Sequence, residues 1–192
     1  VKPTKARDNA RNPKTLEVFK VPPRRKLSFK PGKQIKNELK KTNVKDFFIS
    51  GTMVQSFKSF IHLDCGKTYK DFDETKLLNQ LPNITYNDFQ GTHWQPSLIP
   101  IETWKKVGGF SMEFSPGLGS DPDFSMKLWK IGVRLFKGLG SCRVYHFSSI
   151  SLRKRAWNNG AKTFLLKWGI SIKFFKKYYL RSDTIFNNDL KE

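Results

Sequence analysis

Cysteine is nearly absent: Cys65 and Cys142 are the two thiols in 192 residues. Neither CxxC nor Cys/His zinc spacing occurs, which excludes a disulfide framework and argues against a structural zinc site. A reducing, cytoplasmic setting is the resulting expectation. Uninterrupted apolar runs are missing too. No stretch approaches the ~18 residues that a membrane span needs. Residues 1–45 are polar and basic and lack the apolar core of a signal peptide. The chain opens on Val1 rather than Met, which favours a fragment of a longer protein over a degenerate copy or one half that docks with another polypeptide. The third shortage is of negative charge: 16 Asp and Glu stand against 36 Lys and Arg, for a net +20. That imbalance calls for anionic partners or surfaces.

The excess of positive charge is unevenly placed. Residues 1–45 hold 15 basic and 3 acidic side chains, residues 46–150 hold 11 and 10, and residues 151–192 hold 10 and 3. A nearly neutral middle therefore lies between two basic ends. The prolines at 3, 13, 22, 23 and 31, set among Lys, Arg and Asn, predict loop or disorder over 1–33, with a short polar helix over 34–45. The domain expectation is a basic disordered arm over 1–45, an α/β domain over 46–180 and a polar tail over 181–192.

Within the middle, the run from Phe47 through Val54 predicts a strand, and Phe57–Leu63 a second apolar segment. Asp73–Leu81 predicts a short helix, capped by Asp73 or Asp71 and stopped by Pro82. Ile101–Val107 predicts another, ending on Gly108. Ser120–Ile131 carries the strongest helical signal: Ser120 as N-cap, Asp123 completing a capping box, an apolar face of Phe124, Leu128 and Ile131, and Gly132 as the stop. Strands are predicted over Val133–Phe136 and Cys142–Phe147, around a Gly138/Gly140 turn. Residues 151–180 predict a basic helical tail with Phe164, Leu165, Trp168 and Ile172 in a stripe.

Chemistry concentrates between Val107 and His146. A double glycine leads into a Gly- and aromatic-rich loop, and the loop ends in Asp121 and Asp123 at the start of a helix. Carboxylates there are kept ionised by the helix dipole and suit a general base or a metal ligand; Ser-x-x-Asp is equally an ordinary helix cap. His146 closes the following strand, either as a metal ligand or as a histidine satisfied by a hydrogen bond.

The order Gly108-Gly109-Phe110, glycine loop, Ser120-Asp121-Pro122-Asp123-Phe124, helix, strand, His146 resembles the acceptor-side half of a family 2 glycosyltransferase. The resemblance implies an incomplete GT-A (Rossmann-like) fold over 46–180. It implies transfer from a nucleotide sugar to a glycan or other hydroxyl acceptor, with inversion, helped by Mn²⁺ or Mg²⁺. It makes Asp121 the catalytic base, Asp123 the second acidic position of the catalytic motif, supporting the site or the helix cap, and His146 a metal ligand. It places Trp94, Gly108 and Gly109 at the acceptor and Arg153, Lys154 and Arg155 at the donor diphosphate. Ser120 stands where that family carries Glu. The nucleotide-binding half has no counterpart in residues 1–46, so the resemblance further implies a missing N-terminal half and no activity in this chain alone.

A second expectation is a basic nucleic-acid- or other phosphate-binding protein without catalysis. Arg24-Arg25-Lys26 and Arg153-Lys154-Arg155 could neutralise phosphates. Trp157, Phe164, Trp168, Phe174, Phe175, Tyr178 and Tyr179 could offer stacking surfaces, or form a core stripe beside a solvated lysine face. A third expectation is a peripheral membrane contact through the same tail.

Overall fold

The computed structural model describes residues 2–3, 7–11, 17–21, 25–26, 37, 45–57, 61–147 and 158–187. The chain divides into two compact units, Val1–Lys40 and Lys41–Glu192.

In the first unit, β1 (Lys2–Pro3) pairs antiparallel with β4 (Arg25–Lys26), and β2 (Arg7–Arg11) pairs antiparallel with β3 (Val18–Val21). The registers follow one another. Lys2 faces Lys26, Pro3 faces Arg25, Arg7 faces Val21, and after an irregularity Ala10 faces Phe19 and Arg11 faces Val18. The result is a pair of short two-stranded antiparallel ladders, the N-terminal ribbon. Paired strands thus occur in the described part of 1–33, where loop or disorder is the expectation from sequence. Antiparallel pairing is made by backbone groups, so a polar, basic composition does not forbid it. Pro3 is tolerated because its strand has an outer edge where no donor is needed. The helix expected over 34–45 lies, apart from Asn37 and Lys45, outside the described residues.

The second unit is a mixed α/β structure. Its central strand β5 (Phe47–Gln55) runs parallel to β6 (Ile61–His62) and to β9 (Leu135–Tyr145). β7 (Phe89–Gln90) and β8 (Ser97–Leu98) add antiparallel, giving the order β6-β5-β9-β7 with β8 also on β5. β5 is buried along almost its whole length, as expected of a strand covered on both faces.

The helices follow the expected bounds closely. α1 spans Glu74–Gln80, and Asp73 caps it by accepting from the Lys76 amide at 2.8 Å. Asp71 instead accepts from the Lys67 and Thr68 amides in the preceding turn. α2 spans Ile101–Val107 and ends on Gly108 at φ 70°. α3 spans Ser120–Lys130. The C-terminal region is not one continuous helix. α4 (Gly160–Trp168) ends on left-handed Gly169, and α5 (Ile172–Phe174) continues into a π-helical turn, Phe175–Tyr179.

Two local expectations are corrected. Gly138 and Gly140 do not make a turn, because β9 runs through both of them. The pairing with β5 jumps from Gly51–Leu139 to Thr52–Arg143, so residues 140–142 form a bulge inside one long strand. The glycines serve close approach: a Cβ on Gly138 would lie 1.9 Å from the Phe89 ring, and one on Gly140 1.9 Å from the Tyr86 carbonyl. The capping box is also absent. Gly119 is the N-cap of α3, and Ser120 Oγ donates back to the Gly117 carbonyl at 2.6 Å. The Asp123 side chain turns inward to partners on α4 and in the loop before α3.

The main core gathers Phe48, Phe136, Phe124, Leu128, Phe164 and Phe175 from β5, β9, α3, α4 and the π turn. Phe48 and Phe136 are register partners and stack at 5.9 Å. A smaller cluster around Val54, Ile61, Leu63 and Cys65 packs under α1.

Candidate functional site

The two carboxylates at the start of α3 have opposite environments. Asp123 is fully buried. It accepts from Ser111 Oγ at 2.7 Å and from Trp168 Nε1 at 2.8 Å, and it pairs with Lys167 Nζ at 2.9 Å. Lys167 also reaches Glu113 at 2.6 Å and Ser111 Oγ at 3.0 Å. Burial by itself would lower the Lys167 ammonium pKa, but its bonds to Glu113 and Asp123 hold it above the usual lysine value. The same lysine lowers Glu113. This network ties the segment before α3 to α4. Asn158 reinforces it by accepting from the Leu118 amide at 3.1 Å and donating to the Leu118 carbonyl at 2.8 Å.

Asp121 is half-buried, and burial pushes its carboxyl from 3.8 up to about 6. A carboxyl with a raised folded pKa binds its proton more tightly in the folded state than in the unfolded chain. The contribution of this group to stability is therefore greatest below about pH 4, falls as pH rises from ~4 to ~6, and stays at the lower level above that. The shift corresponds to about 2–3 kcal/mol. Asp121→Asn should raise stability at neutral pH by about 2 kcal/mol and leave it unchanged near pH ~4. Urea unfolding across that range checks this, and a variant with the wild-type pH profile would contradict it. Chemically, Asp121 is a carboxyl able to hold or accept a proton near neutrality.

The other expected positions are dispersed. His146 follows β9, its Nδ1 beside Gln55 Nε2 at 2.5 Å, and burial lowers its pKa. Since the amide nitrogen can only donate, Nδ1 accepts. Among the described residues no three His, Cys, Asp or Glu side chains stand together as a metal site, so His146 is not grouped with Asp121 and Asp123. Trp94 is buried, donates from Nε1 to the Gly51 carbonyl at 3.2 Å and stacks on Phe89 at 5.3 Å. Gly108 and Gly109 terminate α2 with positive φ, and a Cβ on Gly109 would press on Trp104 at 2.9 Å. Lys127 Nζ donates to the Gly109 carbonyl at 2.5 Å, so the pair joins α2 to α3. Arg153, Lys154 and Arg155 lie outside the described residues.

Sequence reading missed two features. Lys167 becomes the hub of the network around buried Asp123 through partners 44 or more residues away, and no local signal marks it. The ribbon had a signal: Val18, Phe19 and Val21 favour strand, and Asn12-Pro13 favours a turn before them.

A family model described as bacterial DNA-binding protein matches residues 1–40. No curated protein and no solved structure matches the chain. The matched family is a DNA-binding one, and the match lies wholly outside Val107–His146. The identification as a family 2 glycosyltransferase is corrected accordingly. With it go metal-dependent sugar transfer and the nucleotide-sugar and acceptor partners. No helix among the described residues is long and apolar enough to cross a membrane.

Proposed function

We propose that this chain binds DNA, and that its N-terminal ribbon makes the principal contact. The observation that carries this reading is the family match over residues 1–40, which coincides with the unit that pairs as an antiparallel ribbon. The charge supports it: 15 basic against 3 acidic residues in 1–45 form the most basic part of the chain. A two-stranded ribbon has the width to enter a duplex groove. Lys and Arg along it would neutralise phosphates, which supplies affinity and orientation but no sequence information by itself. The reading therefore expects strong salt dependence and weak sequence preference.

The test is duplex binding by fluorescence anisotropy across salt concentrations, for the full chain and for R7Q/R11Q/R25Q/K26Q. Every phosphate that is no longer neutralised takes about 0.9 from the slope of log affinity against log salt. The four substitutions should lower that slope by about 3 and weaken binding more than tenfold at low salt. An unchanged slope would sink the ribbon as the contact.

A further inference from the structure

The C-terminal segment carries a feature that the ribbon does not use. α5, its π turn and residues 181–183 enclose a cleft of about 550 Å³ lined by Ile172, Lys173, Lys176, Lys177, Ser182 and Asp183. Three lysines and one aspartate thus share its lining. Among the described residues none of the three lysines forms a salt bridge. The cleft is firmly built. Phe175 and Leu180 anchor the segment in the core, the Ser182 amide donates to the Lys176 carbonyl at 2.9 Å, and Ser182 Oγ donates to the Gly91 carbonyl at 2.8 Å.

Interleaved with the lysines is an aromatic pair. Phe174 and Tyr178 lie with ring centroids 4.6 Å apart, yet remain 44% and 57% exposed. Lys177 Nζ lies 5.1 Å from the Tyr178 ring centroid. Aromatics serving only as core would be covered, as Phe164 and Phe175 are. A π-helical turn is uncommon and is often found at functional sites. Phe174 and Tyr178 do not line the cleft, but Lys177 belongs to its lining and lies against the Tyr178 ring. Cations and exposed rings on one segment match what a single strand requires, charge for its backbone and a flat surface for its bases.

We infer that this cleft is a second nucleic-acid contact that takes single-stranded segments. Lys173, Lys176 and Lys177 hold the phosphates, and Phe174 and Tyr178 stack on unpaired bases. The ligand class rests on the DNA-binding reading of residues 1–40, but the site itself involves none of them. It gives the chain a preference that duplex contacts through the ribbon do not supply.

The experiment measures anisotropy of the full-length chain on an oligothymidine of about 16 nucleotides and, separately, on a short duplex. K173Q/K176Q/K177Q should bind the oligothymidine about tenfold more weakly, with a salt slope reduced by about 2. F174A/Y178A should bind the oligothymidine at least tenfold more weakly while keeping its duplex affinity. Wild-type oligothymidine affinity and slope in the triple glutamine variant, whose exchanges are at the surface, would overturn the inference. So would equal weakening on single strand and duplex in F174A/Y178A. A wild-type chain that binds phosphatidylserine vesicles but no oligothymidine would overturn it too, and would assign the cleft to a membrane surface. R7Q/R11Q/R25Q/K26Q separates the two readings. Unchanged duplex binding in that variant removes the ribbon contact alone, while the cleft stands or falls on its own variants.

Discussion

Asp123→Ala should destabilise the 41–192 unit by about 3 kcal/mol or more, read as a lowered urea midpoint at unchanged slope. Asp123 is fully buried and meets three donors: the Ser111 hydroxyl, the Trp168 indole and the Lys167 ammonium. Its removal strands the indole N–H and takes one of two carboxylates from Lys167. Breaking one side of a fully buried pair costs about 3–5 kcal/mol, because the remaining group keeps its desolvation penalty. Lys167 keeps 26% of its side chain exposed and water takes over part of its solvation, which lowers the cost. Glu113, 2.6 Å from Lys167, offsets a further part of it and places the expectation at the low end. Asp123→Asn keeps one acceptor and should cost less than the alanine change. A loss below about 1 kcal/mol for Asp123→Ala would mean that the Asp123 contacts add little to packing and the Lys167–Glu113 pair in holding α4.

Phe124→Ala should cost about 3–5 kcal/mol in the same assay. Its ring is completely buried, with the Trp104 and Phe110 centroids each 4.9 Å away and Phe48 at 6.5 Å. Truncation leaves a void bounded by β5, α2 and α3, none of which can collapse without moving a helix. A cost under about 1.5 kcal/mol would show that these elements repack freely.

Both predictions concern α3, whose limits were legible because its signals are local. Phe124 and Leu128 repeat at helical spacing, and Gly132 stops the helix with φ 95°. Pro82 and Gly108 punctuate α1 and α2 in the same way. What spacing could not show is which side of the helix start is inside. Asp121 and Asp123 are two residues apart, yet one carboxyl is half-buried with its pKa raised and the other meets Trp168, 45 residues on. Long-range partners set that difference, and a capping pattern is silent about them. Gly138 and Gly140 misled for a related reason: glycine marks a turn and a crowded backbone equally well, and only Phe89 and Tyr86 decide between the two. In the N-terminal unit, proline and charge outweighed the strand propensity of Val18, Phe19 and Val21.

The candidate site shifted with the fold. The carboxylates and His146 are separated into a structural network, a titrating carboxyl and a strand-end histidine bonded to Gln55. Positive charge, which composition exposed at once, is what the family match and the ribbon take up. Its placement at both ends of the chain corresponds to two unlike surfaces: strand pairs in the first unit and a lysine cleft in the second.

Amide hydrogen exchange of the full chain, with and without a short duplex, tests the central claim most directly. The account predicts slowed exchange at residues 2–11 and 17–26 when DNA is added at low salt, reversed as salt rises. Protection confined to residues beyond 40, with the ribbon amides unchanged, would contradict it.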